Sequence, residues 1–292
     1  MLPDLASYEA AEEGPPWRWF LDDEGDLRRL YGAVDADGAL SPGWVALDPS
    51  LRILGWAPLD HGPRMLANFA ALGPPDLHAG VPLNAPVLIV PRVFEQDFCR
   101  RLIAYYEQVG GAPSGVMRER DGRTIGVLDD FKRRRDAPIA DEALTDEIRA
   151  RLKYRLVPEM EKAFGWRATR IERYIVARYA ADEGGYFRPH TDNNTPGTAH
   201  RKFACSINLN AEEFEGGDLR FPEFGTRTYR PPTGGAVVFS CALLHEATPV
   251  TRGVRFAYLP FFYDDDGARL REANAHTFED PAERTYTASE RV

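Results

Sequence analysis

His190, Thr191 and Asp192 place the tightest constraint on what this chain can fold into. Side chains at i and i+2 of a β-strand point to one face, so a histidine and a carboxylate at that spacing can grip a single ion. Two donors do not close a metal site, and the next one has to arrive from another part of the fold. His245 is the candidate. A site of this kind requires strands far apart in sequence to pack against one another.

The surrounding segments read as those strands. Residues 171–178 are rich in β-branched and aromatic types, and the turn Glu183-Gly184-Gly185 precedes a second extended run over 186–190. Residues 236–240, Ala-Val-Val-Phe-Ser, read as a buried strand leading toward Cys241, Leu244 and His245. Residues 248–253 are turn-prone and residues 255–263 strongly β-prone. A hairpin closing symmetrically about Val250 predicts Arg255 beside His245.

Two histidines and one carboxylate form the facial triad that holds non-haem Fe(II). A guanidinium nearby can pair bidentately with a carboxylate, which suggests a cosubstrate that chelates iron at one end and carries a carboxylate at the other. 2-Oxoglutarate has that shape. An isolated His-x-Asp means little in a chain with 6 histidines. The combination with a distal histidine at a strand end and an arginine across a hairpin is much harder to obtain by chance.

Three runs carry a resemblance: RYAADEGGYFRPHTD (residues 178–192), EGGDLRFP (215–222) and LHEATPVTRGVR (244–255). Together they resemble the prolyl 4-hydroxylase-like branch of the Fe(II)/2-oxoglutarate-dependent dioxygenases. The resemblance implies a mainly β fold, a double-stranded β-helix or jelly-roll over residues 87–265, with buttressing helices. It implies that His190, Asp192 and His245 are the iron ligands and the catalytic centre, and that Arg255 anchors the 2-oxoglutarate tail. Collagen-type members carry lysine at that position, so the chain is similar to the arginine-bearing subgroup. Tyr179 matches a tyrosine that hydrogen-bonds the cosubstrate, and Asn208, inward-facing by alternation on a strand over 203–209, falls near another cosubstrate contact. The implied activity is hydroxylation of a peptidyl residue, an amino acid or another small molecule, with O2 consumed, succinate and CO2 released, and ascorbate as reductant. Asp192 favours hydroxylation over halogenation, since related halogenases lack the carboxylate. The alternative is a non-catalytic binding or scaffold protein with a vestigial iron site.

Residues 1–86 form a separate module, with a helix near 26–31 and two strand-like pieces, 43–47 and 51–56, joined through Asp48-Pro49-Ser50. It resembles the latter half of a thioredoxin-fold peroxiredoxin, a small α/β partial domain. No cysteine precedes Cys99, so thiol peroxidase chemistry does not carry over, and the expected role is packing, substrate framing or homodimer formation. Helices are expected over 95–108 and from an Asp141 cap to Phe164, divided at Pro158 and stopped by Gly165. Between them, residues 110–136 read as a loop ending in Lys-Arg-Arg-Arg-Asp. That cluster is expected to be a solvated face; the functional alternative is a mobile lid over the iron whose guanidinium groups favour a carboxylate- or phosphate-bearing substrate. Residues 266–292 are expected to be a polar, solvated tail.

A formal charge of −9 over 292 residues argues against general nucleic-acid binding. The 43% hydrophobic content is enough for a sizeable core. No apolar run approaches the roughly 18 residues of a spanning helix, and the first residues lack a signal-peptide core, so the expectation is a cytoplasmic protein that meets neither membrane nor nucleic acid. Cys99, Cys205 and Cys241 are widely spaced and read as buried, inert thiols.

Overall fold

Alternation along a few strands decides where the larger unit buries its apolar and its polar side chains. The computed structural model describes residues 22, 24–34, 37–48, 51–74, 83–280 and 291–292. The chain divides into two compact units, Met1–Pro82 and Leu83–Val292.

In the first unit, helix α1 (Asp26–Leu30) precedes strands β1 (Gly43–Leu47) and β2 (Ile53–Pro58), followed by helix α2 (Gly62–Ala70). The strands pair antiparallel as the predicted hairpin; Pro49 and Ser50 of its turn lie outside the described residues. A hairpin and two helices are common to many folds, so the thioredoxin likeness rests on sequence alone.

The second unit contains β3 (Leu88–Val90), helix α3 (Gln96–Val109), and short strands β4 (Ala112–Pro113), β5 (Val116–Arg120), β6 (Arg123–Val127), β7 (Lys132–Arg133) and β8 (Arg135–Pro138). Residues 110–136 are therefore largely strand, where a loop was expected: β5 and β6 form a hairpin, β8 joins the major sheet and β7 the minor one. Helices α4 (Glu142–Arg155) and α5 (Val157–Phe164) follow. Asp141 caps α4 by accepting the Leu144 N–H at 2.9 Å, Pro158 sits in the first turn of α5, and Gly165 ends α5 in the left-handed region.

Next come β9 (Arg170–Glu172), β10 (Ile175–Ala180), β11 (Tyr186–His190), β12 (Phe203–Asn208), β13 (Glu215–Gly216), β14 (Leu219–Arg220), β15 (Thr228–Tyr229), β16 (Ala236–Ser240), β17 (His245–Ala247), β18 (Val250–Arg252), β19 (Val254–Tyr258) and β20 (Phe261–Tyr263). The major sheet runs β3-β16-β12-β19-β10-β8-β4, with β20 joining β12 and β9; the minor sheet runs β15-β14-β17-β11-β7. All of these pairings are antiparallel. The two sheets make the jelly-roll that the motifs imply.

Along β12, β16 and β19, Cys205, Ile207, Ala236, Val238, Phe256 and Tyr258 join one core with Leu102 of α3, Ile148 and Leu152 of α4 and Met160 of α5. Their neighbours Ala204, Val237 and Phe239 pack instead with Leu219 and Phe221 of the minor-sheet side. Burying a side chain such as Leu102 or Ile148 stabilises by about 1.5–3 kcal/mol, so the helical stripes are structural and leave the inter-sheet face free for chemistry. The same alternation turns Ser206, Asn208 and Arg255 away from the helices.

Two expected strands are each split. Residues 170–180 break at Arg173, whose φ is +75°, and residues 254–263 break between Tyr258 and Phe261. The expected solvated tail is only partly so. Helix α6 (Asp265–Asn274), capped by Asp264, is followed by Phe278, which is buried and bridges Thr124; residues 281–290 lie outside the described residues. Among the described residues no helix is long and apolar enough to cross a membrane.

Candidate active site

The two histidines come together because β11 pairs with β17 in a register that sets His190 opposite His245. Asp192 lies just past the end of β11, where its N–H donates to the Cys241 carbonyl at 2.9 Å. One donor atom from each of the three side chains lies within 4.8 Å of the others. His190 Nε2 is 3.6 Å from Asp192 Oδ1, and His245 Nε2 is 3.3 Å from Oδ2.

Both imidazoles are held from behind. His190 Nδ1 lies 2.7 Å from the Arg188 carbonyl and His245 Nδ1 2.9 Å from the Leu243 carbonyl. A carbonyl only accepts, so the proton sits on Nδ1 and the Nε2 lone pair points into the cluster. Phe187 stacks on His190 with centroids 3.4 Å apart, and Phe239 lies 4.5 Å from His245, fixing the ring planes. Burial, helped by the neighbouring His245, pushes the His190 pKa down and keeps it neutral. Burial alone would raise the Asp192 carboxyl, but His245 and His190 outweigh it and hold the group well below the usual carboxylate range. Two imidazole nitrogen donors and a carboxylate oxygen donor fit a divalent transition metal.

Arg255 reaches this site by a route other than the expected hairpin. β18 pairs with β13, and β19 pairs with β10 and β12, so Arg255 stands opposite Tyr179 in the major sheet and not beside His245. The turn between them explains the switch: Gly253 has φ +73°, and a Cβ there would meet the Glu213 carbonyl oxygen at 2.5 Å. The chain thereby leaves the minor-sheet side and enters the major sheet. Arg255 is buried, donates to Ser206 Oγ at 2.8 Å and Asn208 Oδ1 at 3.4 Å, and lies 5.2 Å from the Tyr179 ring centroid. Among the described residues it has no carboxylate partner. Arg255, Tyr179, His190, Asp192 and His245 all line one cavity of about 530 Å³, a volume suited to small molecules. Asn208 stands behind Arg255, its amide donating to the Pro231 carbonyl at 2.9 Å.

The basic cluster is not a uniform solvated face. Lys132 and Arg134 are buried while Arg133 is exposed, the period-2 pattern of strands. Lys132 Nζ donates to Ser114 Oγ and the Gly115 carbonyl, both at 2.7 Å. Arg134 pairs with Asp136 at 2.6 Å and donates to the Tyr179 hydroxyl at 3.3 Å. Sequence reading also missed a buried triad, two of whose members, Glu172 and Arg201, line the same cavity. Glu172 receives the guanidinium of Arg201 at 2.5 Å and His200 Nε2 at 2.6 Å, and Arg201 donates at 3.3 Å to the carbonyl of Asp192. Burial would raise the Glu172 carboxyl, and Arg201 and His200 outweigh it and hold it well below its ordinary value. Removing one partner of a buried pair costs on the order of 3–5 kcal/mol. Glu172→Gln is expected to lose stability in that range, read as a lower urea midpoint with unchanged slope; a loss under about 1 kcal/mol would show that Arg201 is satisfied without it.

Residues 174–263 match the sequence profile of the 2OG-Fe(II) oxygenase superfamily. This part of the chain is similar to 2OG-Fe(II) oxygenase domains. The matched region spans β10 to β20 and contains the His190, Asp192, His245 cluster and Arg255. A PKHD-type hydroxylase of Cupriavidus metallidurans is 35% identical over 112 residues, covering 33% of this chain and 48% of that protein. A PKHD-type hydroxylase of Paracoccus denitrificans is 37% identical over 84 residues, 26% of this chain and 37% of that protein. The chain thus spans about half the length or less of these curated relatives. A prolyl-4-hydroxylase crystal structure from Pseudomonas putida superposes with a TM-score of 0.49 at 20% identity, over 65% of this chain and 96% of that one. Oxygenases of this superfamily use Fe(II), 2-oxoglutarate and O2, and the donor set described above fits that metal.

Proposed function

We propose that this chain is an Fe(II)- and 2-oxoglutarate-dependent hydroxylase acting on a peptidyl residue, an amino acid or another small molecule, with residues 87–265 as its catalytic domain. The observation that carries the reading is the convergence of two Nδ1-protonated imidazoles and an ionised Asp192 in the same cavity as Arg255, a buried guanidinium without a carboxylate partner among the described residues. His190, Asp192 and His245 would hold the iron. Bound Fe(II), with 2-oxoglutarate and O2, supplies an oxidative decarboxylation to succinate and CO2 and the oxidising power for C–H hydroxylation.

The protein's own part is positional. Arg255 would take the far carboxylate of 2-oxoglutarate, with Ser206 and Asn208 fixing its guanidinium plane. Tyr179 forms the adjoining wall, its hydroxyl held by Arg134. Phe187, Phe221 and Phe239 around the histidines exclude water from the metal face. The PKHD-type hydroxylase relatives support the same reaction class. The test is succinate formation from 2-oxoglutarate by the purified chain supplied with Fe(II), ascorbate and air. Succinate that appears with Fe(II) and disappears on chelation supports the reading, and no succinate from iron-loaded protein sinks it.

A further inference from the structure

The cavity holds more positive charge than the metal and 2-oxoglutarate can use. In the arrangement proposed above, the charges of Fe(II), 2-oxoglutarate, Asp192 and Arg255 cancel. Five more cations line the same cavity: Lys132, Arg134, Arg173, Arg201 and Arg271, the last donating to the Tyr263 hydroxyl at 3.3 Å. Two are neutralised within the protein, Arg134 by Asp136 and Arg201 by Glu172. Lys132 and Arg173 have no carboxylate at ion-pair distance among the described residues. Lys132 meets only a hydroxyl, a carbonyl and the Phe187 ring.

Arg173 is the sharper case. Its Nε and Nη2 donate to the single carbonyl oxygen of Leu259, at 3.2 and 3.0 Å, and its guanidinium carbon lies 4.3 Å from the Phe261 ring centroid. Among the described residues, Nη1 bonds to no protein group. The backbone holds Arg173 at φ +75°, a conformation that favours glycine and that persists in an arginine only when the surroundings impose it. Glycine or asparagine would make that turn between β9 and β10 more easily. Burial, then the charges of Arg134 and Arg201, push its pKa down to about 10. A half-buried guanidinium beside other cations is a configuration that a bound anion relieves.

We infer that Arg173, with Lys132 beside it, is the recognition site for an anionic group on the primary substrate, so that the hydroxylated compound carries a carboxylate or an equivalent oxyanion. This rests on the hydroxylase reading and narrows its substrate class. A neutral substrate would leave both cations without an anionic partner in the cavity, which costs affinity, whereas a carboxylate can take Nη1 of Arg173 and the remaining N–H of Lys132. Arg173 is thereby a specificity residue, distinct from Arg255, which serves the cosubstrate.

Crystals of the chain with Mn(II) and 2-oxoglutarate, soaked in selenate, test this by anomalous scattering. Selenium is expected within hydrogen-bond reach of Arg173 in the wild type and missing in Arg173→Gln, with selenate affinity in solution at least tenfold weaker. Arg173→Gly is the control for backbone strain, since glycine accepts φ +75° at no cost, and it is expected to lose selenate equally. No selenium near Arg173, or binding retained in both variants, overturns the inference. So does a neutral compound hydroxylated with equal kcat/KM by wild type and Arg173→Gln. Electron density for 2-oxoglutarate is judged separately: its absence from the cavity strikes at the hydroxylase reading, while the selenate position still decides the role of Arg173.

Discussion

Alanine in place of His190, Asp192 or His245 is expected to abolish Fe(II)-dependent succinate formation while leaving the fold intact. Each residue offers one of only three converging donor atoms, and even partners one shell further from a metal cost about 10–100-fold when removed, so loss of a ligand itself should exceed about 100-fold. The core is not involved: the helix-facing cluster contains none of the three. Iron content and thermal melting separate the two effects. The expected result is protein that melts as a folded domain and retains no stoichiometric iron. Full turnover in any one variant, freed of wild-type protein, removes that residue from the site.

Arg255→Ala should leave iron binding in place and weaken 2-oxoglutarate. Truncating one partner of a buried, hydrogen-bonded charge pair costs on the order of 2–5 kcal/mol, and about 1.4 kcal/mol is tenfold, so the KM for 2-oxoglutarate rises by at least about thirtyfold. Ser206 and Asn208 would lose the donor they now accept from, which adds to the cost. Arg255→Lys keeps the charge and loses the planar fork, and is expected to fall between the two. An unchanged KM in Arg255→Ala would place the cosubstrate carboxylate elsewhere, with Arg173 the next candidate.

Position along the chain made the candidate metal donors visible and concealed how they meet. His190 and Asp192 were legible because a spacing of two at a strand end lets both side chains reach one ion, and His245 because it follows a run as apolar as residues 236–240. Arg255 was found with the wrong neighbour. A symmetric hairpin was the simplest closure of residues 245–255, but Gly253 turns the chain out of the minor sheet, and pairing with β10 gave Arg255 to Tyr179. The basic cluster was misread for a related reason. A charge run looks solvated until the strand it forms acquires an inside, and only the sheets assign Lys132 and Arg134 to it.

The sequence by itself determined the strand-rich class and the helix caps at Asp141 and Gly165, and it nominated the candidate donor set, since these depend on local periodicity and on residue chemistry. Tertiary structure alone decided which cations have partners. Glu172 lies 29 positions from Arg201 and Asp136 only two from Arg134, yet Arg173, flanked in sequence by an acidic neighbour, ends with no carboxylate at ion-pair distance among the described residues. Charge neutralisation acts through space over a few ångströms, and the distances that matter are set when two sheets close around a cavity, not by order along the chain.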